Sequence, residues 1–298
     1  MTPANTIQTE SLQSLALRFP VHTAATPGGQ LQFRQSGNAA IAPTHVLLHG
    51  IGSGSASWVL QLQAAQGANN LHVLAWDAPG YAASTAVGPQ HPQAADYAQV
   101  LWLWLDALQA SQPVTQPIKL VGHSLGCLMA AAATRLAPQR VGQLFWLAPA
   151  RGYARASAPD REQKRKDRLD NMAHLGPQGI AQKRGAAMLS PSATPEQIAL
   201  VQSVMAQINP AGYTQAVHLL MDGDIRADLQ AVTCPVTVAS GSADTVTPPA
   251  GCQALATAMG VPYLSLPGAG HVCALQSAAQ VNALIGLVPL VPTSGPSA

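Results

Sequence analysis

Three side chains in this sequence could do nucleophilic chemistry together if the fold brings them to one place. Ser124 lies in "GHSLG", residues 122–126, directly behind the apolar run "IKLV" and ahead of "CLMAAAATRLA". A strand that runs into G-x-S-x-G and then a helix sets the serine on a sharp turn at the strand's C-terminal end. The flanking glycines have a steric reason, because side chains at 122 and 126 would collide with neighbouring backbone. The following helix aims its amide dipoles at the same point, which favours developing negative charge. A serine hydroxyl also needs a base to take its proton and a carboxylate to orient that base. His123 is too close in sequence, since adjacent side chains on a tight turn diverge; it is expected to pack or to wall the pocket. Downstream, His174 and His218 fall in a charged stretch, whereas His271 sits in the glycine-rich "LPGAGHVC" after the last predicted strand. With the chain order serine, acid, histidine, Asp244 in "ASGSADTVTPP" is the expected acid. Asp222, Asp224 and Asp228 satisfy the order too, but their charged run suits solvated or helix-capping roles better.

Acyl chemistry at a serine also needs donors for an oxyanion. "LLHGIGSGSASW", residues 47–58, ends a strand in a glycine-rich turn whose backbone N–H groups can point at a substrate oxygen. The expected donors are the amides of Ile51 and of Leu125, the residue after the serine. Gly50, Trp58 and His123 are the candidate substrate contacts. A phosphate-binding loop is the competing use of such glycines, but the lysine of G-x-x-x-x-G-K-[ST] is missing.

The elements that must position these groups are legible as an α/β pattern. Apolar runs at 44–50, 71–77, 118–124, 143–149 and 235–241 read as buried parallel strands, and "VPYLSLPGAG", residues 261–270, as a last strand. Residues 94–109 and 124–137 read as helices between them, and 248–260 as a helix that opens with prolines and stops at Gly260. Composition changes after Ala150: residues 151–228 hold ten of the fifteen Lys and Arg and eight of the thirteen Asp and Glu. That makes 1–150 and 229–298 one discontinuous core and 151–228 a helical insertion. The tail from Pro292 is expected to be disordered.

In order, "HGIGSGSASW", "DAPGYAAS", "GHSLG", "GSADTVTPP" and "GAGH" resemble the α/β-hydrolase fold family with a helical cap after the sixth core strand. The likeness runs over about residues 30 to 288. The cap's end, "NPAGYTQAVHLLMDGDI", together with "GSADTVTPP", is similar to 3-oxoadipate enol-lactonases and their carboxylesterase relatives. The resemblance implies a mostly parallel central sheet with helices on both faces and an inserted cap. It also implies a serine hydrolase acting on a small-molecule ester or lactone. Two positions depart from the family pattern: Ala82 stands where glycine is usual, and Gln276 where glutamate is common. A carbon–carbon hydrolase, an acyltransferase or perhydrolase, and a non-catalytic ligand-binding homologue remain alternatives on the same fold.

Other features narrow the expectations. A net charge of +2 in 298 residues argues against nucleic acid as a partner, and no apolar run is long enough to span a membrane. The first twenty residues lack a basic start followed by an apolar block, so a cytoplasmic location is expected. Cys127, Cys234, Cys252 and Cys273 have no metal or redox spacing and read as free thiols, so no metal or cofactor is expected. Cys273, two residues from His271, should point away from it. Trp102 and Trp104, two apart on a helix, should pack in the core rather than share a face. In "REQKRKDR", residues 161–168, most charges should lie on a solvated helix face. A sharper possibility has one of Arg161, Lys164, Arg165, Lys166 or Arg168 meeting a substrate carboxylate. The apolar composition leaves room for an oligomer.

Overall fold

The computed structural model describes residues 11–108 and 116–287, and the expected disorder from Pro292 falls outside them. The buried runs form strands because they are β-branched or leucine-rich and mostly covered: β3 (His45–Leu48), β4 (His72–Trp76), β5 (Ile118–His123), β6 (Val141–Leu147) and β7 (Val236–Gly241), with β8 (Tyr263–Leu266) at one edge. These six are parallel. At the other edge β1 (His22–Thr26) and β2 (Gly29–Gly37) form an antiparallel hairpin that pairs with β4, giving the order β1-β2-β4-β3-β5-β6-β7-β8. This hairpin was not expected from the apolar runs.

Two cores cover the two faces of the sheet. On one lie α3 (Ala94–Leu108), α4 (Gly126–Leu136) and α8 (Pro249–Met259), with Trp102 and Trp104 buried among them. On the other lie α1 (Leu12–Leu17), α2 (Val59–Ala65), α9 (Cys273–Gln276) and α10 (Ala278–Ile285). Between β6 and β7 the chain leaves the sheet for α5 (Ala158–Arg184), α6 (Pro195–Met205) and α7 (Pro210–Asp222). α5 is bent: Gly176 takes φ 61°, and Pro177, which cannot donate to the preceding turn, starts the second half. No helix among the described residues is long and apolar enough to cross a membrane.

Strand order reverses at β3, whose neighbours are β4 on one side and β5 on the other. The crevice outside the carboxyl ends of strands at such a point is where open α/β sheets bind ligands. β3 delivers His49, Gly50 and Ile51 there, and β5 delivers Ser124.

The departure at Ala82 has a structural consequence. This exposed turn residue adopts φ 48°, in the left-handed region where a Cβ is strained. Ala82→Gly is therefore expected to raise stability by about 0.5–1 kcal/mol, the relief of strain exceeding the added freedom of the unfolded chain. Equilibrium urea unfolding checks it, and a lower midpoint would contradict it.

Candidate active site

Ser124 is held in a strained turn by its neighbours. It takes φ 52°, a conformation costing roughly 1–3 kcal/mol in a non-glycine residue. Its N–H donates to Leu147 O on β6 at 2.9 Å, and its carbonyl accepts from Cys127 and Ala150, each at 3.1 Å. The glycine requirement is explicit: a Cβ at Gly122 would lie 2.7 Å from Gly126 O, and one at Gly126 would lie 2.3 Å from Leu48 O. These close approaches let α4 begin directly under the serine.

The histidine and the acid meet in the core of the site. His271 Nδ1 lies 2.9 Å from Asp244 Oδ2, with His271 2% and Asp244 3% exposed. Asp244 Oδ1 accepts from the amides of Val246 (2.7 Å) and Thr247 (3.0 Å), and Oδ2 also accepts from the Thr247 hydroxyl at 2.8 Å. Burial would raise this carboxyl. The hydrogen bond and charge of His271, with the Thr247 donors, outweigh burial and hold it below the usual carboxylate value. Asp244 is thus an anion at neutral pH whose four contacts fix its direction. The competing acids are used elsewhere: Asp222 with Arg165, Asp224 with Arg155 and Arg226, and Asp228 with Arg135.

Ser124 and His271 line one cavity of about 240 Å³, whose walls include Ile51, Thr247, Tyr153 and Tyr213. A smaller lobe shares Ser124, His271, Ile51, Gly52, Met188 and Met205 with it, and is completed by Gly50, Ser53, Ser57, His123 and apolar residues of α6, of α9 and of Val272 just before it. α5, α6 and α7 supply Arg168, Ile180, Arg184, Met205 and Tyr213 to the wall of the cavity.

The remaining expected residues fall as follows. The backbone N–H groups of Ile51 and Leu125 donate to no group among the described residues. Gly50 abuts the serine closely enough that a Cβ there would lie 2.9 Å from Ser124 Cβ. His123 donates from Nε2 to the carbonyl of His271 at 2.9 Å. Burial and the neighbouring His271 push the His123 imidazole down to about 3, so it is neutral and steadies the His271 backbone. Trp58 differs from the expected contact: it is 1% exposed and meets His123 edge-on at 6.4 Å, behind the cavity wall rather than on it. Cys273 is wholly buried and burial pushes its thiol up to about 12, which leaves no thiolate for nucleophilic work.

Three supporting groups were not foreseen. Asp77, at the end of β4, accepts from the Ser55 amide (2.7 Å) and hydroxyl (2.8 Å) and so anchors the loop carrying Ile51. His49 donates from Nδ1 to Gly50 O and accepts at Nε2 from Ala78 N, which fixes its neutral tautomer in the same loop. Gln276 takes the Gly270 and Ser190 amides on Oε1 and donates to Ser190 Oγ, pinning the His271 loop to the segment between α5 and α6. The first two could have been suspected from polar residues at the ends of buried strands.

One group among the described residues has metal-ligand proximity: His91, His218 and Asp222, whose ligand atoms lie within 4.8 Å of one another. Arg165 already fills it, donating to both Asp222 oxygens (2.7 and 3.1 Å) and to His218 Nδ1 (2.7 Å). The set holds a cation of the protein's own and does not fit a metal.

The sheet order, the crevice at its reversal and the buried His271–Asp244 pair beside Ser124 define a hydrolase-type α/β enzyme. Residues 46–284 match the family model described as "Alpha/beta hydrolase family", and the chain belongs to that family. Among its relatives, the pimeloyl-[acyl-carrier protein] methyl ester esterase of Photobacterium profundum is 30% identical over 242 residues, 74% of this chain and 89% of that protein. The enzyme of the same name from Vibrio campbellii is 29% identical over 214 residues, 69% and 78% of the two chains. Among solved structures, the enol-lactonase from Burkholderia xenovorans LB400 superposes with a TM-score of 0.74 at 21% identity, covering 89% of this chain and 99% of that one. A thermophilic esterase from Thermogutta terrifontis gives 0.73 at 21%, covering 90% and 97%.

Proposed function

We propose that this enzyme hydrolyses carboxylic esters or lactones through an acyl-enzyme formed on Ser124. The observation that carries the reading is the buried His271 Nδ1–Asp244 Oδ2 bond in the wall of the cavity onto which Ser124 is turned. With Nδ1–H donating to the carboxylate, His271 Nε2 is the free base. It takes the Ser124 proton as Oγ attacks the carbonyl carbon, and the carbonyl oxygen becomes an oxyanion against the Ile51 and Leu125 amides. Collapse of this intermediate breaks the C–O bond, and His271 returns the proton to the departing alkoxide. Water, deprotonated by the same nitrogen, then releases the acid and restores Ser124. Residues 151–228 serve as the cap that shapes the acyl and alcohol sites.

Two named relatives being methyl ester esterases, and an enol-lactonase being among the structural neighbours, support the choice of ester or lactone. The test is hydrolysis of p-nitrophenyl esters from acetate to decanoate by the wild type and by Ser124→Ala. Activity confined to the wild type is expected. Activity that survives the substitution, or none in the wild type across the series, would overturn the reading.

A further inference from the structure

The charges facing the cavity are all of one sign. Arg151, Arg168 and Arg184 line it, and no aspartate or glutamate does. Elsewhere in the helical insertion the arginines are matched with carboxylates: Arg155 and Arg226 with Asp224, and Arg161 and Arg165 with Asp222; of the lysines, Lys166 pairs with Asp170, Lys183 donates to Asn171 Oδ1 and Lys164 lies over the Tyr153 ring. The three cavity arginines, by contrast, have no side-chain hydrogen bond or ion pair among the described residues. They come from separate places in the chain. Arg151 follows β6 and lies near Gly251 of α8, while Arg168 and Arg184 sit in the two halves of α5 that the Gly176–Pro177 bend turns toward the same space.

Converging unpaired guanidinium groups carry a cost. Burial lowers the Arg184 guanidinium from its usual value, and the charge of Arg168 lowers it further. A half-buried cation without a partner is unfavourable unless an anion meets it, and the planar fork of arginine suits a carboxylate held by two parallel bonds. The smaller lobe, which also reaches Ser124, is lined by Leu200, Val201, Val204, Val272 and Leu275 together with Ser53, Ser57 and His123, and by no Asp, Glu, Lys or Arg. One lobe at the serine therefore carries guanidinium groups and the other none.

From this polarity we infer that the substrate is an ester or lactone bearing a carboxylate away from the scissile carbonyl. Arg168 and Arg184 bind that carboxylate, with Arg151 nearer solvent, while the uncharged end of the substrate enters the apolar lobe. The inference rests on Ser124 being the nucleophile of this cavity, and it deepens the ester or lactone reading to an acid-bearing substrate.

The experiment compares monomethyl adipate with methyl hexanoate, two methyl esters of equal chain length differing in a terminal carboxylate. The readout is the ratio of their kcat/KM values in the wild type, Arg168→Gln, Arg184→Gln and, as a control away from the cavity, Arg155→Gln. The wild-type ratio should exceed one. Either cavity substitution should lower it by about 10-fold or more, as expected for a lost hydrogen bond to a charged group, and Arg155→Gln should leave it unmoved. A wild-type ratio at or below one, or the same ratio in all four proteins, overturns the inference. In parallel, calorimetric titration of adipate into Ser124→Ala and into Ser124→Ala/Arg184→Gln separates this inference from the hydrolytic one. Adipate binding that depends on Arg184 supports the anion site even if no ester is turned over. Turnover of methyl hexanoate with no adipate binding and no change in ratio overturns the anion site and leaves the hydrolase standing.

Discussion

Ser124→Ala is expected to lower kcat on p-nitrophenyl acetate by about 10⁴-fold or more, with little change in folding stability. The size follows from the number of steps that pass through one oxygen. In the proposed mechanism no acyl-enzyme forms without Oγ, and what remains is direct attack by water on an ester held against the proposed oxyanion donors, the Ile51 and Leu125 amides. Such a remnant still exceeds the uncatalysed rate, because the oxyanion donors and the bound geometry persist. Stability should hold because the local structure depends on backbone bonds, Ser124 N to Leu147 O and the carbonyl to Cys127 and Ala150, which alanine keeps. The positive φ at 124 is strained for serine and alanine alike. Steady-state kinetics with thermal unfolding of the same preparations check both halves, and a loss under 10-fold in a folded variant would contradict the assignment.

Asp244→Asn should cost about 10⁴-fold in kcat while changing the side chain's shape hardly at all. The amides of Val246 and Thr247 both donate to Oδ1. In the variant the carbonyl oxygen must stay on them, so the new NH₂ takes the place of Oδ2 and faces His271 Nδ1. An NH₂ group donates only, which forces Nδ1 to become the acceptor and moves the ring proton to Nε2. His271 then presents a proton to Ser124 rather than a base. The lost negative charge also leaves the imidazolium formed during attack without its counter-ion. Kinetics on the same ester, beside Ser124→Ala, provide the check; an Asp244→Asn enzyme within 10-fold of the wild type would remove Asp244 from the role.

How much of this is visible without coordinates depends on the range of the interaction. The parallel strands and the turn at Ser124 are legible because they are set locally, by apolar runs that must be buried and glycines that must be small. The β1–β2 hairpin is less legible because it is an edge: β1 has no buried residue, and the signal in β2 is a short alternation of two apolar residues, Leu31 and Phe33, between the polar Gln30, Gln32 and Arg34, with Ser36 also buried, instead of a continuous apolar run. Trp58 could not be placed because its side of the loop is decided by where His123 packs. Asp77 and Gln276 act on loops distant in sequence, so their roles emerge only once β4 and α9 lie beside them. The charged run 161–168 shows the same limit. Its pairing on a helix face was foreseeable for Lys166 and Asp170, four apart, whereas the cavity position of Arg168 beside Arg184 needs the bend at Gly176, whose only local sign is the Gly-Pro pair.

The most direct test of the central claim is to treat the protein with a fluorophosphonate, whose phosphorus is attacked by an activated serine, and locate the adduct by peptide mass spectrometry. A single adduct on Ser124, formed quickly in the wild type, slowly in Asp244→Asn and absent in Ser124→Ala, is the predicted result. An adduct on another residue, or none from a preparation that hydrolyses p-nitrophenyl acetate, would contradict it.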